Sequence, residues 1–191
     1  MKVRAKNRSA PAGGGAEAER ERGMDIIKDM ETAEETKGKA FVHWRGWHTA
    51  YPGLVSPEAL ERWTLDKCEE IAFRRADPVL VAKDGARVVG FIGYGESAEE
   101  PGAGEIFALY VLPEYAGQGI GTRLMRAGLD RLRAHARVFL WLLKENGPAL
   151  RFYRKCGFVP DGKEKFSAAV GAAGIRMVLE RPAPVAPSSR G

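Results

Sequence analysis

Gly117, Gly119 and Gly121 stand where a strand-like run hands over to a helix-like one, and no other stretch constrains this chain as much. Before them, Ile106 to Leu112 is rich in β-branched and aromatic residues, the pattern of a largely buried strand. Pro113 ends that run, because proline offers no N–H to a ladder and fixes its own φ. After the glycines, Ile120, Leu124, Ala127 or Gly128, and Leu132 recur at helical spacing, with charged residues such as Arg123, Arg126 and Asp130 between them. Residues without a Cβ let the backbone come close to a ligand, and the first N–H groups of a helix have no partner inside it. Such a turn attracts phosphate through those donors and the positive end of the dipole.

Two nucleotide motifs compete for the turn. A dinucleotide fingerprint, GxGxxG, needs glycine three places after Gly119, where Thr122 stands, although Glu145 partly mimics the ribose-binding acid of that motif. A Walker loop needs GK[ST], which Gly121-Thr122-Arg123 does not supply. A glycine-rich turn that binds nothing is the plain alternative.

Composition bears on what else the chain can bind. The 191 residues suffice for one domain with a substantial core. The net charge of +5 comes from the ends: residues 24–180 hold 22 basic and 22 acidic residues. The body therefore has no phosphate-tracking surface, and nucleic acid is not expected as a partner. Residues 1–23 and 181–191 contain almost no large apolar side chains and are expected to be disordered extensions of a domain over 24–180. Cys68 and Cys156 form no CxxC and no zinc spacing, and Cys156 reads as a buried free thiol. No apolar run has membrane-spanning length and no signal-peptide pattern opens the chain, so a cytoplasmic setting is expected, without membrane or metal.

Around the glycine turn the pattern alternates strands and helices. Asp25 to Met30 is a strand candidate. A helix starts at Thr32, carries Ala33, Ala40, Trp44, Trp47 and Tyr51 near one face, and stops at Pro52-Gly53. Ser56 caps a second helix that breaks near Thr64 and runs to about Arg74. Val79–Lys83 and Arg87–Tyr94 are strands joined by the tight turn Asp84-Gly85. An acidic loop, Gly95–Gly104, holds Glu96, Glu99 and Glu100. Arg137–Leu143 is a further strand, Pro148 starts a short helix closed by Gly157, and strands near Phe158–Phe166 and Gly174–Glu180 complete the body.

Two of these segments carry a family resemblance. The glycine turn resembles motif A of the GNAT superfamily of N-acetyltransferases, Q/R-x-x-G-x-G/A: Gly119 and Gly121 match, and Ala116 stands where the family has Gln or Arg. The run Asn146-x-x-Ala149-x-x-Phe152-Tyr153-x-x-x-Gly157-Phe158 is similar to motif B of the same family, in the right order and spacing. The resemblance spans roughly residues 25–180. It implies an α/β (α+β) domain with a mixed, mostly antiparallel sheet of about seven strands, splayed between the fourth and fifth, and helices on both faces. It implies acetyl-CoA as acyl donor, its pantetheine arm along the main chain of Leu109 and Val111 and its pyrophosphate on the amides from Gly117 through Gln118, Gly119 and Gly121 to Thr122. Asn146 organises the loop or touches the ligand.

The chemistry such an enzyme needs then selects residues. An alkylamine has a pKa of about 10.4, so a base must take its proton, and Glu105 at the start of the fourth strand is the candidate. The amide of Val111 could serve the oxyanion, and the resemblance assigns Tyr153 to protonation of the leaving thiolate. Trp47, His48 and Tyr51 are candidates for one wall of an acceptor site, and Glu96 with Glu99 and Glu100 for an acidic edge that would suit a cationic amine; a solvated loop over a packed helix is the plain reading. The expected activity is N-acyl transfer to a small-molecule or peptide amine in a ternary complex. A CoA-binding sensor without turnover is the alternative, and a homodimer is left open.

Overall fold

Asp84 and Arg87 face each other across a two-residue turn in which Gly85 takes φ 58°, the backbone a tight hairpin requires. That hairpin belongs to the sheet of the computed structural model, which describes residues 26–182. The expected N-terminal extension 1–23 lies outside the described residues, as does the expected tail 181–191 from residue 183 on; Arg181 itself is held to the domain, donating to Leu129 O at 2.9 Å and His135 O at 2.8 Å.

Seven strands, β1 (Ile26–Asp29), β2 (Val79–Asp84), β3 (Arg87–Glu96), β4 (Gly104–Val111), β5 (Arg137–Leu143), β6 (Val159–Ser167) and β7 (Ala172–Glu180), form one sheet in the order β1-β2-β3-β4-β5-β7-β6. Every neighbouring pair is antiparallel except β4 and β5. The parallel ladder covers Gly104↔Val138, Glu105↔Phe139 and Ile106↔Leu140, and then the strands part. Between Gly93↔Ala108 and Tyr94↔Ile106 the register of β3 and β4 shifts, which leaves Phe107 as a bulge at the point of parting.

Five helices, α1 (Ala33–Ala50), α2 (Pro57–Arg62), α3 (Leu65–Arg74), α4 (Ile120–Arg131) and α5 (Gly147–Lys155), start on side-chain caps or glycine. Thr32, Ser56, Thr64 and Asn146 each accept a backbone N–H of the first turn of α1, α2, α3 and α5. Neighbouring strand residues point to opposite faces, and the packing follows that rule. His43 of α1 lies 5.6 Å from Phe91, whereas a Cβ built on Gly128 of α4 would lie 2.6 Å from Ile92 Cδ1. The helices therefore cover both faces, with Phe91, Ile92, Ile106, Leu124 and Leu140 in one core. Gly46 lets α1 lie against β4: a Cβ there would stand 2.4 Å from Tyr110 Cδ1.

Several boundaries moved. Strand β3 runs on to Glu96 and β4 starts at Gly104, so the acidic loop is shorter than the charge pattern suggested, while Leu112 leaves the strand for a 3-10 turn at Pro113–Tyr115. Cys68 is the buried thiol, and Cys156 is only half-buried, because it caps α5 instead of facing its interior. No helix among the described residues is long and apolar enough to cross a membrane.

Candidate active site

Where β4 and β5 part, a notch of about 390 Å³ opens, lined by β4 from Ile106 to Val111, by Trp141 and Leu142 of β5, by the end of α1 and by Asn146, Ala149 and Tyr153. Leu112 donates its N–H to Val89 O at 2.8 Å. Pairing with the neighbour alternates along an antiparallel strand, so Leu109 and Val111 turn their N–H and C=O away from β3, towards the notch. These are the free ladder positions of a sheet that stops pairing after Ile106.

The notch runs into a second cavity of about 400 Å³ over the glycine turn, and the two share Leu109, Val111 and Ala116. Gly117 and Gly119 have φ 78° and 77°, with open space where a Cβ would be. The first helical bond of α4 is Arg123 N–H to Gly119 O at 3.0 Å, so the amides before it have no partner in the helix. A Cβ on Gly121 would touch Phe152 at 3.6 Å and Leu109 at 3.8 Å, ordinary contact from which a longer side chain extends into the cavity. Thr122 and Lys155 line the same space. The Gln118 side chain turns away and donates to Glu114 O at 3.2 Å, leaving only its main chain to the turn.

Tyr153 is on the notch wall, and its hydroxyl has no hydrogen-bond partner among the described residues. Burial, then the neighbouring Tyr51, pushes its pKa well up, so the phenol keeps its proton at neutral pH. Asn146 is buried, caps α5 by accepting the Ala149 N–H at 3.2 Å, and lines the notch. Glu105 stands one residue outside the lining. Its carboxylate accepts from Ser97 Oγ at 2.9 Å, and burial raises its pKa against that hydrogen bond.

The acceptor-side candidates divide. Tyr51 lines the notch and hydrogen-bonds Tyr110 between hydroxyls 2.8 Å apart. Trp47, stacked on Trp63, lines an adjoining cavity of about 180 Å³ that shares Tyr51, Trp141 and Leu142 with the notch. His48 bonds back to Trp44 O at 2.9 Å and lines neither the notch nor this adjoining cavity. Glu96 is exposed and accepts from Gly102 N–H. Glu99 takes Trp141 Nε1 at 3.1 Å and Arg176 at 3.5 Å, while Glu100 takes Arg176 and Arg137, both at 2.8 Å. Two of the three acids of the expected cation-attracting edge are thus already paired. Sequence reasoning missed Tyr110, Trp141 and Lys155. An alternating strand and a short basic helix end gave no sign that Tyr110 and Trp141 would meet at the notch and Lys155 at the cavity beside it.

Solved structures similar in fold include acetyltransferases. Among them are PaiA N-acetyltransferase from Thermoplasma acidophilum in complex with coenzyme A (TM-score 0.63, 21% identity, 82% of this chain and 99% of that one) and a GCN5-related N-acetyltransferase from Rhodopseudomonas palustris (TM-score 0.64, 22% identity, 82% and 97%). The likeness at that identity is one of fold. In sequence, the uncharacterized N-acetyltransferase YuaI of Bacillus subtilis is 32% identical over 127 residues, 63% of this chain and 73% of that protein. The profile of the acetyltransferase (GNAT) family matches residues 41–158, and the chain belongs to that family of N-acetyltransferases.

Proposed function

We propose that the protein moves acetyl from acetyl-CoA to a primary amine by direct attack while both substrates are bound. One observation carries this: the free ladder positions of Leu109 and Val111 lead without interruption to the glycine turn. An extended amide-bearing arm can add to such a strand edge, and a pyrophosphate can sit on the amides of Gly117 to Thr122. Ala116 supplies no charge there, and Lys155 at the rim of the same cavity can replace it.

In this reading Glu105, with its raised pKa, accepts the proton of the incoming amine through water, since it stands outside the notch lining. The nitrogen lone pair forms the C–N bond, and charge developing on the carbonyl oxygen meets the Val111 amide. The C–S bond breaks with its electrons on sulfur. Tyr153 donates a hydrogen bond to that thiolate; its burial makes full ionisation costly, so solvent completes the proton transfer.

The test is Gly121→Val. Its Cβ is tolerated, but its two further methyl groups would occupy the cavity over the turn. Calorimetry is expected to show acetyl-CoA binding by the parent and its loss in the variant, with no binding of NAD by either. Unchanged affinity for acetyl-CoA in the variant would remove the glycine turn as the phosphate site. Thiol release in the presence of an amine panel then separates an enzyme from a CoA-binding sensor.

A further inference from the structure

A fourth cavity, of about 190 Å³, lies between α1, α3 and the sheet. It shares Phe107, Ala108 and Tyr110 with the notch, so the two lie side by side along β4. Two polar side chains of α1 line it, one helical turn apart. Lys39 is 8% exposed and makes no hydrogen bond or ion pair with any described residue; its ammonium lies 5.1 Å from the centre of the Phe91 ring. His43 Nδ1 is buried and has no hydrogen-bond partner among the described residues. At the mouth, Arg75 and Asp77 pair at 2.5 Å, so the acid nearest the cavity is already taken.

An ammonium taken from water without a counter-ion is costly. Burial, the largest cause, lowers the Lys39 pKa. It holds His43 down to about 3, with Lys39 and Arg75 adding repulsion, so the imidazole is neutral. One ammonium and one neutral imidazole offer donors for the two oxygens of a monoanion, and the rings of Phe91, Phe107 and Tyr110 exclude anything heavily hydrated.

We infer that the acceptor is a primary amine that also carries a carboxylate, and that Lys39 and His43 receive this carboxylate while the amine reaches the notch at Phe107 and Ala108. The inference rests on the acyltransferase reading. It replaces the cationic acceptor that the acidic loop suggested, two of whose three glutamates are engaged by Arg137 and Arg176.

The experiment uses N-acetyl derivatives of alanine, phenylalanine and lysine as product-side probes, each beside its primary amide, in calorimetry with the full chain. The expected result is binding of at least one acid at least tenfold more tightly than its amide. Lys39→Met keeps the length of the side chain without its charge. It is expected to erase the difference, with a Tm at or above that of the parent, while Lys39→Arg restores part of it. Equal binding of acid and amide, absence of binding by all three acids, or an undiminished preference in folded Lys39→Met would each overturn the inference. The free amino acids and their amides are then compared by thiol release from acetyl-CoA. Higher kcat/KM for the acids, lost through KM in Lys39→Met, is expected, and faster reaction of the amides would overturn the acceptor assignment. A carboxylate preference in binding with no thiol release from any amine would leave the anion site standing and sink the acyltransferase reading instead.

Discussion

Glu35 and Lys39 are one helical turn apart on α1, both buried and of opposite charge, and the chain treats them differently. Glu35 accepts from Lys83 at 2.9 Å, from Lys28 at 3.1 Å and from the backbone N–H groups of Glu31 and Thr32, which tie α1 to β1 and β2. Those partners, Lys83 first, hold its pKa down to about 2. Lys39 has no such partner. The same division recurs at the other end of the molecule. Arg176, 2% exposed, is saturated by Asp161 and Glu100 and lies over Phe139, whereas the hydroxyl of Tyr153 faces an open notch without a partner. A buried polar group closed by its own chain serves architecture, and one left open is available to a ligand.

That contrast can be broken by substitution. Glu35→Gln should have the largest effect, a loss of about 3 kcal/mol read as a lower Tm, because two lysines lose the charge that balances them and one amide oxygen must serve contacts now shared by two carboxylate oxygens. Its kcat should stay near the parent's; a stable variant, or one with collapsed turnover and normal Tm, would erase the distinction. Tyr153→Phe should do the reverse. Turnover is expected to fall about a hundredfold, some 2.7 kcal/mol in the barrier, with Tm and acetyl-CoA affinity nearly unchanged. Turnover within a few-fold of the parent would move thiolate protonation to water alone.

The smallest effect is a pH dependence. His43 titrates near 6.5 when unfolded and near 3 when folded, so the unfolded state binds more protons and stability falls as pH drops through that window. The slope approaches about 1.4 kcal/mol per pH unit at its steepest. Glu35 contributes stability that is complete above its ordinary 4.5 and is lost between there and about 2. The two windows separate between pH 6.5 and 4.5. Chemical denaturation of His43→Gln should be flat over that interval where the parent declines; a parallel decline would mean that another group titrates there.

What could be read from the chain was local chemistry. The hairpin at Gly85, the helix start at Thr32, the cap Ser56 and the glycine turn each depend on a few adjacent residues, and each stands where the pattern put it. The splay came only with the family resemblance, since nothing in the composition of β4 says that its partner leaves after Ile106. The acidic loop misled for a physical reason. Glu100 meets Arg176 from 76 residues away, and that pairing cancels a charge that looks free in sequence. Lys39 was invisible for the same reason, because a lysine on a mixed helix face reads as solvated until α3 and β3 close over it.

Gly46 has a consequence for how such an enzyme can change over generations. With Tyr110 occupying the space a Cβ would need, α1 is gauged to β4 and cannot drift outward or rotate by small steps, since any other residue at position 46 meets the ring at once. Yet the same helix carries Lys39, His43, Trp47 and Tyr51 along the cavities beside that strand. Its lineage can therefore explore new acceptors by exchanging those side chains one at a time on a rail that does not move. Shifting the rail itself would take two coordinated changes, one at Gly46 and one at Tyr110.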